Sequence, residues 1–336
     1  MNIFIAIGQN HVNNFEKLIQ EQLVTSGINV LVSGSNVVFD AKYWDQTIIS
    51  DRSFNNKSTS LIEQVSSITK KIKSYKTLIE QIDPLKSAAT TIYISYIEDV
   101  LSNYLFFSFK PKVSIVVVED GTLNYYDHSL KNIDTLKFKL KKIISFLFGI
   151  PFKKYAGHSS GAEDPRVTAQ YLTFPKLAFV SKNAIQLPIE RKEVPNLIDD
   201  LYFIGQESYG QLLGKEKFEE LLKEMFSALK QAPFYEKVKK VYYKPHRNGT
   251  QIPKGVLRKV FDGKKIEIVN SALSSEDFYF EKAPCKHIAG FDSSTFPNIY
   301  SKLTDNDRKK VVFYVYPVNH ELTLLFEKLN FVFLKN

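Results

Sequence analysis

The chain has 336 residues, 44% of them hydrophobic, with a formal net charge of +9 at pH 7. This length suits two domains of ordinary size with proper cores, and it carries no run of about 18 apolar residues that would predict a transmembrane helix. The single cysteine, Cys285, excludes a disulfide framework and a zinc site built from several cysteines, and it fits a reducing cytoplasm. The N-terminus lacks the basic and apolar regions of a signal peptide, so we expect a cytoplasmic protein.

The first residues predict a β-α-β unit of a parallel sheet. Asn2 to Ile7 is an apolar strand, residues 8–10 form a turn, Phe15 to Leu23 has helical periodicity, and Ile28 to Val32 is a second strand. No glycine-rich G-x-G-x-x-G motif follows the first strand, so the pattern does not indicate a dinucleotide site.

A β-branched strand, Ser114 to Val118, ends in Glu119, Asp120 and Gly121. A strand of this composition is expected to be buried on both faces, and its carboxyl end is where α/β proteins present catalytic groups. Either carboxylate could act as a general base, and because side chains alternate along a strand, only one should face the site. Taken alone, the motif is also an ordinary turn signal.

A lysine-rich segment follows, from Leu136 to Lys154. Its lysines flank an aromatic and aliphatic run, a pattern found in peripheral membrane elements. The favoured interpretation is a core helix with a solvated basic face, because such helices are far commoner.

We expect an interdomain connection over residues 161–200 and a second α/β unit from Leu201 onward. A strand there ends at Lys244, Pro245 and His246. His287 to Phe291 forms another strand, which precedes a polar turn and a helix. That turn contains Ser293, Ser294 and Thr295, and Glu276 lies in an earlier helix start.

Four motifs, in order, resemble those of bacterial lipooligosaccharide sialyltransferases of glycosyltransferase family 52 and, more distantly, capsular polysialyltransferases. They lie within residues 115–300: Glu119-Asp120-Gly121, Phe203-Ile204-Gly205-Gln206, Lys244-Pro245-His246 and Gly290-Phe291-Asp292-Ser293-Ser294-Thr295. The chain departs from the family at one point, because Arg247 follows the histidine where the family has proline.

The resemblance implies an α/β protein of the GT-B type, with two Rossmann-like domains facing each other across a cleft. Residues 1–160 would bind the acceptor and residues 201–336 the CMP-activated donor. The implied reaction is an inverting, metal-independent transfer of sialic acid, or a related nonulosonic acid, to a hydroxyl of a cell-surface glycan such as lipooligosaccharide or capsule. No cofactor is expected.

The resemblance also implies roles for single residues. Glu119 or Asp120 would deprotonate the acceptor, and His246 would meet the charge that develops on the CMP phosphate. Glu276 would bind the ribose hydroxyls, and Gly205 would let the backbone approach the nucleotide. The remaining residues expected to bind the donor are Gln206, Lys244, Ser293, Ser294 and Thr295.

Two other functions stay open at this point. One is a transferase of the same fold that uses a UDP-sugar, and the other is a non-catalytic basic protein that binds polyanions. No recognised nucleic-acid motif is present, so we expect no nucleic-acid partner. Family members can be homodimers, and the basic segment allows contact with the cytoplasmic face of an inner membrane.

Overall fold

A computed structural model describes residues 1–51, 61–133, 135–246, 251–271 and 273–334. It divides the chain into two compact units, Met1–Pro188 and Ile189–Asn336. Arg247, the position at which the sequence departs from the family motif, lies outside the described residues.

In its described part, the first unit contains one parallel sheet with helices on both faces. The strands are β1 (Asn2–Ala6), β2 (Asn29–Ser33), β3 (Gln46–Ile49), β4 (Thr91–Ile94), β5 (Ser114–Val118), β6 (Val167–Leu172) and β7 (Ala184–Gln186). The helices are α1 (Gln9–Gln20), α2 (Leu61–Ile82), α3 (Val100–Ser108) and α4 (Leu136–Leu147). The strand order is β3-β2-β1-β4-β5-β6-β7, which reverses direction between β1 and β4 as in doubly wound folds.

Alternating apolar residues explain why this sheet is covered on both faces. Ile3 and Ile5 of β1 belong to one hydrophobic cluster, and Phe4 and Ala6 belong to another. Every residue of β1 is buried, as expected for a central strand of a parallel sheet.

The second unit repeats this architecture in its described residues. Its strands are β8 (Ile198–Ile204), β9 (Lys240–Lys244), β10 (Lys265–Ile268), β11 (Cys285–Phe291), β12 (Val312–Tyr316) and β13 (Val332–Phe333). Its helices are α5 (Ser208–Leu213), α6 (Lys215–Gln231), α7 (Lys254–Val260), α8 (Ser275–Lys282), α9 (Thr295–Lys302), α10 (Asp305–Arg308) and α11 (Thr323–Lys328). The parallel strands lie in the order β10-β9-β8-β11-β12-β13, so the reversal falls between β8 and β11. Within the described residues of the whole chain, no helix is long and apolar enough to cross a bilayer.

The boundary between the units differs from the expected one. Residues 161–188, which the sequence analysis assigned to a connection, contribute β6 and β7 to the first sheet. Polar residues inside β6 obscured the strand pattern. One of them, Gln170, is buried and uses its side-chain amide to donate to the carbonyl of Val180 at 2.9 Å.

The first helix also begins earlier than its periodicity indicated. It starts at Gln9, directly after Gly8, rather than near Phe15. The turn residues of the sequence analysis therefore belong to the helix, and His11 lies in its first turn, next to the carboxyl end of β1.

Candidate active site

Glu119 lies at the carboxyl end of β5 and is buried, with both carboxylate oxygens engaged. Its Oε1 accepts a hydrogen bond from the Thr173 hydroxyl at 2.8 Å. Its Oε2 accepts from the Thr173 backbone N–H at 2.5 Å and from the Tyr125 hydroxyl. These bonds join the end of β5 to the residue that follows β6. The geometry is that of a structural carboxylate that ties two loops together.

Burial raises the pKa of Glu119 to about 7, although hydrogen bonds from Tyr125 and Thr173 oppose this shift. A pKa near neutrality suits a general base. A general base must also reach its substrate, however, and the Glu119 side chain is only 5% exposed within its hydrogen-bond network. The pKa of Glu119 therefore bears on stability rather than on proton transfer.

Asp120, unlike Glu119, has a partly exposed carboxylate. Its side chain is 33% exposed, and its Oδ1 lies 3.0 Å from Nε2 of His11. In the described part of the chain its second oxygen, Oδ2, has no hydrogen-bond partner. The backbone N–H of Ile7 donates to Nδ1 of His11 at 3.2 Å, so a neutral ring carries its proton on Nε2 and donates it to Asp120. Both ring nitrogens are thus occupied, and the group left accessible is the Asp120 carboxylate.

His11 was not among the site residues predicted from the sequence. The residue lies 109 positions before Asp120, and the region around it was assigned to a turn and the start of a helix. The sequence feature that could have identified it is a histidine in the first helical turn after β1, because the carboxyl end of β1 borders the reversal point of a doubly wound sheet.

In the second unit, three neighbouring strands bring most of the predicted donor residues to one edge. Gly205 and Gln206 follow β8, His246 follows β9, and Ser293 follows β11. Strand β8 pairs with both of the others, in parallel. The carboxyl ends of parallel strands meet at the same edge, and β8 and β11 flank the reversal point at which such sheets bind ligands.

Glu207, which the sequence analysis did not single out, organises this edge. It is buried, and its Oε2 accepts a hydrogen bond from the backbone N–H of His246 at 2.7 Å. Its Oε1 accepts from the Tyr243 hydroxyl. Burial raises the pKa of Glu207 above its ordinary value, against the effect of these bonds.

Gly205 lies directly against this carboxylate. A Cβ atom at Gly205 would lie 2.3 Å from Oε1 of Glu207, closer than real contacts allow. The structure thus supplies a reason for glycine at Gly205 that differs from the expected close approach of a nucleotide. The adjacent Gln206 has a buried Oε1 with no hydrogen-bond partner in the described residues. A buried acceptor of this kind calls for an external donor.

The Ser293–Thr295 turn begins α9, as expected. Ser293 is buried and its hydroxyl accepts from the Thr295 backbone N–H at 3.3 Å, whereas Ser294 is exposed. Glu276 of α8 accepts a hydrogen bond from Asn298 of α9 at 2.8 Å. The structure therefore places Glu276 beside the helix that this turn begins.

Lys244 has a structural contact. Its side chain is buried and its Nζ donates to the carbonyl of Ser271 at 2.8 Å, which anchors the loop before α8. Burial lowers the pKa of Lys244. A role in binding the sugar donor stays a prediction for this residue.

A cavity of about 630 Å³ lies between α6 and α7. Its lining is mostly apolar and includes Phe218, Leu222 and Val256. Among the described residues, none of the predicted site residues lines this cavity, although Glu207 does. Glu207 therefore connects this cavity to the edge that carries the predicted residues. Within the same part of the chain, no cluster of three His, Cys, Asp or Glu side chains could hold a metal ion.

The two units, each with a doubly wound parallel sheet, define a two-domain α/β fold of the GT-B type. Among solved structures, the chain is similar to the glycotransferase of kitacinnamycin, with a TM-score of 0.51 and 10% identity over 98% of this chain and 83% of that one. It is also similar to a sialyltransferase from Photobacterium damselae (TM-score 0.44, 13% identity, 94% and 91% coverage). A third similar structure is a UDP-N-acetylglucosamine 2-epimerase from Listeria monocytogenes (TM-score 0.48, 11% identity, 97% and 81% coverage).

No family model matches the sequence, and no curated protein matches it significantly. At these identities a structural likeness shows the fold alone. One fold hosts many reactions, so a function must be argued from the side chains at the two sheet edges.

Proposed function

We propose that the protein is a glycosyltransferase that moves a sugar from a nucleotide donor to an acceptor hydroxyl, with Asp120 as the general base. The observation that carries this proposal is the Asp120–His11 pair. The buried imidazole holds one carboxylate oxygen at 3.0 Å and leaves the other accessible at the carboxyl edge of the sheet. A base whose orientation is fixed by a buried partner follows the general logic of catalytic dyads and triads.

The carboxyl edge of the second unit is proposed to bind the donor. The backbone and hydroxyls of Ser293, Ser294 and Thr295 suit a phosphate, because they lie at the start of α9. The buried Oε1 of Gln206 can accept a hydrogen bond from a sugar or base of the nucleotide. Glu276, already bonded to Asn298, is proposed to bind ribose hydroxyls.

The proposed chemistry needs no redox step. Asp120 takes the proton from the acceptor hydroxyl as its oxygen attacks the anomeric carbon. The bond from that carbon to the donor phosphate oxygen then breaks, and the nucleotide leaves with the bonding electrons. His246 meets the charge that develops on the phosphate. We also propose that the transfer inverts the configuration of the anomeric carbon and needs no metal ion or other cofactor, as the motif resemblance implies.

For the donor we propose CMP-sialic acid or a related CMP-nonulosonate, with a cell-surface glycan as acceptor. This choice rests on the order of the four sequence motifs. The structure of each edge suits other nucleotide sugars equally well, so a UDP-sugar is the second candidate. A non-catalytic polyanion-binding role is disfavoured by Asp120, because its partly exposed carboxylate would repel a polyanion at the carboxyl edge of the first sheet.

A thermal-unfolding panel with CMP, UMP, UDP and GDP tests the donor assignment. A ligand that binds only the folded protein raises its stability as RT ln(1 + [L]/Kd). We expect CMP to raise the unfolding temperature most, and the double variant Ser293→Ala with Ser294→Ala to lose most of this rise. A larger response to UDP selects the UDP-sugar alternative.

A transfer assay then tests the reaction class. CMP-sialic acid and a desialylated lipooligosaccharide should give a sialylated product, with an unchanged rate in EDTA. Lack of response to all four nucleotides, together with salt-sensitive binding to heparin, would instead indicate the polyanion-binding role.

A further inference from the structure

Helix α4 is apolar on two opposite faces. Phe138 and Ile144 are buried in the core of the first unit, and Ser145 beside them is fully buried. This face is the one that packs against α2 and α3. It accounts for the hydrophobic periodicity that the sequence analysis assigned to a core helix.

The opposite face of α4 is exposed, as expected, but it carries large apolar side chains beside Lys139 rather than lysines alone. The exposed side chains among its described residues include Leu136 (62%), Ile143 (59%), Phe146 (72%) and Leu147 (75%). At about 100° per residue, Leu136, Ile143 and Leu147 lie within about 40° of one another. They form a stripe with Phe146 at its border, which we call the α4 stripe. Scattered exposed apolar residues are normal, but a contiguous row on one short helix marks an interaction surface.

The chain segment that forms α4 and the residues after it is rich in lysine. The segment from Leu136 to Lys154 contains six lysines and no Asp or Glu. Lys139 lies on the exposed side of α4, and Lys153 and Lys154 are exposed just beyond the helix. The surface thus joins large apolar side chains to a local positive charge.

We propose that the α4 stripe, with Lys153 and Lys154, is a docking surface for an anionic lipid bilayer. Interfacial helices bind in this way, with apolar side chains below the headgroups and lysines at the level of the phosphates. Charge complementarity favours a bilayer over a second copy of this chain, because two copies joined through this face would oppose lysine to lysine. The surface is independent of the transferase proposal, and it would hold such an enzyme where lipid-linked acceptors are found.

Co-sedimentation of the full chain with vesicles tests the proposal without any sugar substrate. We expect binding to vesicles of phosphatidylcholine mixed with phosphatidylglycerol, and little binding to phosphatidylcholine alone. Raising the salt concentration should weaken the binding, since surface charges are screened within about 8–10 Å at physiological ionic strength.

Matched variants locate the surface. Phe146→Ser with Leu147→Ser should lower the affinity by about tenfold or more, because two large apolar side chains no longer enter the bilayer. Leu212→Ser, which removes a side chain in the second unit with the same 75% exposure as Leu147, should bind like the wild type. Lys153→Glu with Lys154→Glu should also weaken binding, whereas Lys176→Glu with Lys182→Glu should have little effect. All of these side chains are exposed, so thermal unfolding should change little.

Three outcomes would overturn the proposal. The first is a wild-type protein that does not sediment with anionic vesicles. The second is equal loss of binding in the α4 variants and in their controls. The third is a wild-type dimer that Phe146→Ser with Leu147→Ser converts to a monomer without any change in vesicle binding, since the stripe would then be a protein interface.

Discussion

The backbone N–H of His246 donates a 2.7 Å hydrogen bond to the buried carboxylate of Glu207. The first unit contains the same arrangement, in which the Thr173 N–H donates to buried Glu119 at 2.5 Å. In each case a tyrosine hydroxyl donates to the same carboxylate. Each sheet thus uses a glutamate after one strand to position the loop after a neighbouring strand. We infer that these two glutamates shape the edges, while other residues perform the chemistry.

Removal of the Glu207 carboxylate should destabilise the second unit. Glu207→Ala leaves the Tyr243 hydroxyl and the His246 N–H without their acceptor, which should cost about 1–3 kcal/mol of unfolding free energy. Glu207→Gln keeps a carbonyl acceptor and should lose less. Urea unfolding of both variants measures the difference, and an equal loss in the two would show that an amide cannot replace the carboxylate as the acceptor of these bonds.

His246→Ala should lower kcat with CMP-sialic acid by about 10²-fold or more and leave the unfolding temperature nearly unchanged. The imidazole is proposed to meet charge that is present mainly in the transition state. Steady-state kinetics and thermal unfolding measure the two effects. Normal turnover in the variant would remove His246 from the mechanism.

The two carboxylates of the acidic motif should behave differently. Asp120→Asn should lower kcat by about 10²–10⁴-fold while stabilisation by CMP persists, because the amide cannot accept the acceptor's proton. Glu119→Gln should retain most of the turnover, since its carboxylate is buried by Tyr125 and Thr173. A reversed order of the two effects would move the base to Glu119.

His11 is expected to act through Asp120, as a positioning residue. His11→Leu removes the donor at 3.0 Å and should lower kcat with little change in the KM of the nucleotide donor. His11→Gln can place an amide N–H near the former Nε2 and should recover part of the lost rate. Failure of glutamine to restore any activity, with both variants folded, would argue that the imidazole itself takes the proton.

The buried state of Glu119 should be visible in the pH dependence of stability. Its folded-state pKa of about 7 lies above the ordinary 4.5, so the folded protein holds this proton more tightly than the unfolded chain. The resulting stabilisation is complete below about pH 4.5 and is lost as the pH rises through 7.

Glu119→Gln should therefore become more stable relative to the wild type between pH 5 and pH 8, by up to about 3 kcal/mol at about 1.4 kcal/mol per pKa unit. Urea unfolding across this range measures the difference. Glu207 and Asp292, whose pKa values burial also raises, are present in both proteins and cancel. Parallel stability curves would show that Glu119 is ionised in the folded state throughout.

The sequence by itself determined the class of fold and the places where chemistry could occur. Ser114–Val118 and His287–Phe291 are local apolar runs followed by polar residues, so propensity and burial pattern were enough to predict these strands and the candidate residues at their ends. The parallel pairing of the strands then puts each of these ends at the carboxyl edge of its own sheet.

Only the tertiary structure distinguished the members of each motif. The alternation of side chains along the strand predicted that Glu119 and Asp120 point to opposite sides. Which of the two is buried depends on Thr173 and His11, which lie 54 and 109 residues away from them. The same holds for α4. Its periodicity predicted a helix, but it did not show which of the two apolar faces would pack against α2 and α3. Burial and hydrogen bonding are set by neighbours distant in sequence, and no local pattern records those neighbours.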